Sequence, residues 1–147
     1  MSRFIQALLS GMLATFIFDF FLFLGIKLHY IDFYQIPLYY NILFADNQNI
    51  YLYFGLSFLF GYIIIYLQNV KFKTTLLVLA FLISLTPLIQ PIGYEVGAKM
   101  FMQKNTLLKN KKFTFKGDIY YIGRQSIYFY DTELQKMITL QKKDLVP

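Results

Sequence analysis

The chain has 147 residues and no cysteine, which excludes disulfides, thiolate metal sites, iron–sulfur clusters and cysteine nucleophiles. Hydrophobic residues make up 57% and charged residues 15%, against roughly 45–50% and 25% in soluble domains, so an ordinary soluble globule is excluded too. The net charge is +6, but the chain carries only two Arg. It therefore lacks the Arg clusters of a nucleic-acid reader, and its wealth of Lys, Phe, Tyr, Ile and Asn is what an A/T-rich bacterial genome encodes.

The first predicted element is a membrane span over about residues 4–28, whose sole charge between Arg3 and Lys27 is Asp19. A bilayer core of about 30 Å takes roughly 20 apolar residues as a helix. The run exceeds a signal-peptide core and is followed by Leu28-His29-Tyr30, with no small-residue cleavage pattern, so an uncleaved span is expected. Ala7, Ser10, Gly11 and Ala14 share one helix face, and Gly25 returns to it. Small residues let helix backbones approach closely in lipid, so this stripe is a candidate packing surface.

Asp19 is the sharpest candidate. An aspartate at a helix centre costs about 2.5–3.5 kcal/mol on insertion scales, and such residues are retained for a reason. Thr15, one turn earlier, is placed to hydrogen-bond it. No Lys, Arg or His lies in the middle of the other apolar runs, so the sequence offers Asp19 no ion-pair partner. A docking contact with another subunit is the expected role, with proton or cation handling as the alternative.

Residues 29–50 form a Tyr-rich loop without Lys or Arg, part of which, about 36–44, is expected to lie along the interface where tyrosine prefers to sit. His29, Asp32 and Asp46 are too few to make a metal site with one imidazole; solvated loop polarity accounts for them. A second span follows at about residues 50–68, with Ser57 and Gly61 as another small-residue pair. Lys71-Phe72-Lys73 reads as a tight link to a third span at about 74–92, kinked near its end by Pro87 and Pro91. A short interfacial helix is expected at 93–104, with Glu95 and Lys99 as an i,i+4 pair.

From about residue 105 the pattern changes. Runs at 113–116, 119–122, 127–130 and 137–140 are rich in β-branched and aromatic residues and are separated by turn residues. They predict a small antiparallel β-meander. A tail of roughly 43 residues is near the ~40-residue size below which a lone core is seldom adequate, so it should lean on the membrane, the preceding helix or a partner.

The expected fold is thus an α+β membrane protein: three transmembrane helices, an interfacial helix and a C-terminal β-meander tail domain (105–147). Arg3, Lys71 and Lys73 favour a cytoplasmic N-terminus and a periplasmic tail in a bacterial inner membrane, while the tail lysines argue the reverse. No phosphate loop, nucleophile elbow, zincin motif or paired carboxylates are present, and no cofactor is implied. The expected function is non-enzymatic: an accessory, assembly or stabilising subunit contacting the lipid bilayer and other membrane subunits or copies of itself, without nucleic acid. A small oligomeric channel or ion-coupled transporter using Asp19 is the rival.

Overall fold

The computed structural model describes residues 2–110 and 113–146. Helix α1 (Arg3–Ile26) starts at Ser2, whose hydroxyl accepts from the Ile5 amide, and continues as a π-helical turn, Lys27–Ile31. Helix α2 (Tyr40–Asn47) leads into α3 (Ile50–Ile65) through a sharp elbow of 87°, where Asn49 caps α3 by accepting from the Tyr51 and Leu52 amides. Helix α4 (Val70–Leu85) is capped by Asn69, runs into a 3-10 turn (Thr86–Leu88), and is followed by α5 (Gln90–Phe101). Among the described residues two helices, Arg3–Ile31 and Val70–Leu88, are long and apolar enough to cross a membrane. A third qualifies only if the bent pair α2–α3 is counted as one span.

Several boundaries differ from those the sequence suggests. Lys71, Phe72 and Lys73 form the first turn of α4 and not the link, because Asn69 nucleates the helix by accepting from the Phe72 amide at 3.1 Å. The second apolar stretch ends at Ile65, and the loop before it contains the helix α2. The short helix spans Gln90–Phe101, not 93–104. Pro87 and Pro91 flank a break between α4 and α5: Pro91 sits in the first turn of α5, where no N–H is needed. The Thr86 hydroxyl takes up the Ile83 carbonyl at 2.8 Å.

Helices α1 and α3 run antiparallel and form the tightest helix contact. A Cβ added at Gly11 would lie 1.8 Å from the Ser57 carbonyl, and one at Gly61 would lie 2.2 Å from that of Ala7. The backbones therefore meet where only glycine fits. Helix α4 runs parallel to α1 and seats its far end on it, with the Pro87 carbonyl nested against Gly25 and Gly93. The N-terminus and the 66–69 link thus share one end of the bundle, and α2, α5 and the sheet share the other.

The tail is a sheet of strand order β4-β3-β2-β1-β5, antiparallel throughout. Its strands are β1 (Gln103–Asn110), β2 (Thr114–Ile122), β3 (Ser126–Asp131), β4 (Lys136–Gln141) and the two-residue β5 (Leu145–Val146). Strand β1 has no hydrophobic alternation, and its first residues fall inside the helix expected from sequence; pairing with both β2 and β5 holds it as strand. One face of the sheet packs Ile119, Ile127 and Phe129 against Leu108, Phe115, Ile138, Leu140 and Leu145. The other face joins the base of the helices. Tyr121 belongs to one core with Phe23, Ile26, Tyr30, Ile31, Ile36 and Leu43, so packing runs without a break across the expected domain boundary at residue 105.

Candidate functional site

Asp19 is buried, facing the elbow between α2 and α3. Its carboxylate accepts a hydrogen bond from the side-chain amide of Gln48, Nε2 to Oδ2 2.9 Å. The sequence points to another subunit as the contact for an acid without an ion-pair partner; the chain itself supplies a neutral hydrogen-bond donor. Gln48 lies in the two-residue joint between α2 and α3, so the bond pins the elbow to α1. Thr15 does not serve Asp19: it is fully buried and its hydroxyl donates to Ser57 Oγ at 3.3 Å, while Ser57 donates its own proton to the Tyr53 carbonyl at 2.8 Å. Tyr53 donates to the Met12 carbonyl at 3.0 Å and Tyr40 to that of Phe20 at 3.1 Å. The result is a polar ladder along the α1–α3 seam, ending at Asp19. Buried hydroxyls and carboxylates need such partners, because an unpaired one costs about 1–3 kcal/mol.

The small-residue stripe divides. Ala7, Gly11, Ser57 and Gly61 form the α1–α3 contact itself. Ser10 is half-buried, and Ala14 lines a cleft between α1, α3 and α4. Most of the stripe is therefore used within the chain.

His29, Asp32 and Asp46 disperse. His29 Nε2 lies 2.8 Å from the Leu88 carbonyl at the break before α5 and donates to it. Asp32 pairs with Lys27. Asp46 accepts from Arg124 Nε at 2.9 and 3.0 Å, tying the β2–β3 turn to α2. Among the described residues no group of three or more His, Asp or Glu is placed to hold a metal ion, and Glu95 and Lys99 form no ion pair with each other.

A second constellation was not visible in the sequence: a tyrosine seam between the end of α1, α5 and the sheet. The register of β2 on β3 shifts between Ile119 and Tyr121, a bulge that leaves Tyr120 outside the ladder. Tyr120 and Tyr121 consequently both pack against the helical base. The carbonyl of Tyr120 accepts from the Tyr30 hydroxyl at 2.8 Å. The Tyr34 ring stacks on Tyr120 with centroids 3.9 Å apart, and its hydroxyl lies 2.6 Å from that of Tyr94. Asn47 donates to the Tyr121 hydroxyl at 3.2 Å. Burial pushes the Tyr34 phenol well above its ordinary range, helped by the bond to Tyr94, and burial raises Tyr120 and Tyr121 as well. The tyrosine density at 30–40 and 120–130 was the available signal. Membrane-interface anchoring explained the first group equally well, and only the bulge reveals that the two groups meet.

Comparison with known proteins adds no relative: no protein-family model, no curated protein and no solved structure matches the chain.

Proposed function

We propose that the chain is a non-enzymatic accessory or stabilising subunit of a bacterial inner-membrane complex, in which three spans hold the small sheet in a fixed pose at the membrane surface. The observation that carries this reading is the continuous core from α1 to the sheet, in which Tyr121 packs among Phe23, Ile26, Tyr30 and Ile31. A sheet fastened at one face, and further clamped by Arg124 on Asp46, is suited to presenting its remaining surface to a neighbour. Among the described residues strand β4 pairs only with β3 and so offers an unpaired edge, a surface that can add a strand from another chain.

The support has shifted from where the sequence placed it. The small-residue stripe, Asp19 and the undersized tail all find partners inside the chain, so the neighbour is sought at the β4 edge and along the exposed face of α4. Arg3, Lys71 and Lys73 gather at the end of the bundle opposite the sheet, which favours a cytoplasmic N-terminus and a periplasmic sheet. Affinity capture in mild detergent tests the reading. It expects one discrete assembly holding a second membrane protein in fixed ratio; a stable monomer recovering nothing specific counts against it.

The rival, a small channel or ion-coupled transporter, is favoured by one observation: a buried acid beside a broken helix pair, Asp19 at the α2–α3 joint. Proton or cation flux in liposomes, lost in Asp19→Asn, is its signature. Liposomes without flux remove it.

A further inference from the structure

We propose that the cleft between α4 and the α1–α3 pair holds one acyl chain of an anionic phospholipid, whose headgroup phosphate is taken by Lys73. The cleft has a volume of about 230 Å³ and is walled by Ile17 and Phe18 of α1, Phe60 and Ile64 of α3, and Leu77 and Phe81 of α4. Its one hydroxyl, that of Ser84, is turned back onto the Phe81 carbonyl at 2.7 Å, so an occupant must be apolar. The volume is below the roughly 300–1,000 Å³ of ordinary small-molecule pockets. A helix, about 10 Å or more across with its side chains, does not fit. A single hydrocarbon chain does, and the bilayer supplies it.

The headgroup follows from charge. Lys73, Leu77, Phe81 and Ser84 recur at three- and four-residue spacing and share one face of α4. The Lys73 ammonium donates to the carbonyl of Ile64, a residue of the cleft wall, at 3.1 Å, which fixes it at the mouth. An ammonium has three donors, leaving donors for a phosphate. No carboxylate lies between Asp46 and Glu95 in the sequence, and neither Lys71 nor Lys73 is in an ion pair among the described residues. An uncompensated cation at the end of an apolar slot matches an anionic lipid and not a zwitterionic one.

The absence of tryptophan from the chain allows a direct test. Phe81→Trp places an indole in the cleft wall, and Leu82→Trp places one at matched depth on α4 at a position that does not line the cleft. Each protein is reconstituted in phosphatidylcholine vesicles containing a minor share of phosphatidylglycerol brominated on its acyl chains. Quenching of Phe81→Trp should exceed that of Leu82→Trp severalfold. The excess should vanish when Lys73→Gln is added, and when the bromine is carried by phosphatidylcholine. Equal quenching at the two positions, or an excess that survives Lys73→Gln, overturns the proposal. If Phe81→Trp fails to fold, the pair Leu77→Trp and Val78→Trp asks the same question one turn away. The proposal rests on α4 lying in the bilayer. If Leu82→Trp is not quenched even in a fully brominated matrix, the span assignment falls and the lipid site with it.

Discussion

The hydroxyl of Tyr30, in the π-helical turn that ends the first apolar helix, donates to the carbonyl of Tyr120 in the sheet over 2.8 Å. The β2 bulge leaves Tyr120 out of the ladder, so its carbonyl needs a partner from elsewhere, and Tyr30 provides one. The same bulge directs two consecutive tyrosines toward the helical base. An irregularity in the sheet thus fixes how the sheet sits on the spans.

Tyr30→Phe should keep the ring packing and lose only this bond. The expected cost is about 1–3 kcal/mol, the range for a buried carbonyl left unsatisfied, read as a lowered melting temperature in detergent. Amide exchange should rise around 118–122 while the α1–α3 seam stays protected. Unchanged exchange there would mean that the bond does not hold the sheet.

Alkaline pH should release the sheet. The phenols of Tyr34, Tyr120 and Tyr121 are held above their ordinary value by burial, so the folded state favours the neutral form. Their contribution is fully present below about pH 10, the ordinary tyrosine pKa, and is lost as pH rises through the higher folded values. Tyrosinate absorbance should show a late-titrating group of tyrosines that loses one member in Tyr34→Phe and joins the ordinary ones after unfolding. A single titration at the ordinary position would contradict the buried seam.

Glycine substitutions should separate the helix seam from the exposed surface. Gly61→Ala forces a Cβ to 2.2 Å from the Ala7 carbonyl, whereas Gly55→Ala meets nothing within 4 Å. Overpacking costs about 1–3 kcal/mol, so Gly61→Ala should lower the melting temperature clearly. Gly55→Ala should leave it unchanged or raise it, since alanine is the better helix former.

For Asp19 a double-mutant cycle is the informative experiment. Gln48→Leu leaves the carboxylate without its donor and should cost about 1–3 kcal/mol. Asp19→Leu with Gln48→Leu should recover much of that loss, because both polar groups are then gone. Additive losses would show that the 2.9 Å contact is not the acid's main support.

The sequence made some of these features plain and hid others for identifiable reasons. Long apolar runs without charge mark α1 and α4 directly, and the β-rich tail shows in its alternation at Phe113–Phe115 and its turn at Gly123-Arg124. Strand β1 stayed hidden because Gln103–Asn110 has no apolar face of its own and is held by its neighbours. Gln48 could not be matched to Asp19, since the partners are 29 residues apart and meet only because α2 and α3 are bent by 87°. The small-residue pairs announce a close helix contact but not whose. Placing Gly11 against Gly61 needed the antiparallel pairing of α1 with α3.

The central claim is that the spans present the sheet to another membrane protein, and photo-crosslinking in native membranes tests it most directly. A photoreactive residue replacing Thr139, exposed on the open edge strand β4, should yield one discrete adduct with a second membrane protein. That adduct should weaken in the Tyr30→Phe background, where the sheet is loosened. The absence of any discrete adduct at Thr139, in membranes where the protein is folded and abundant, would contradict the account.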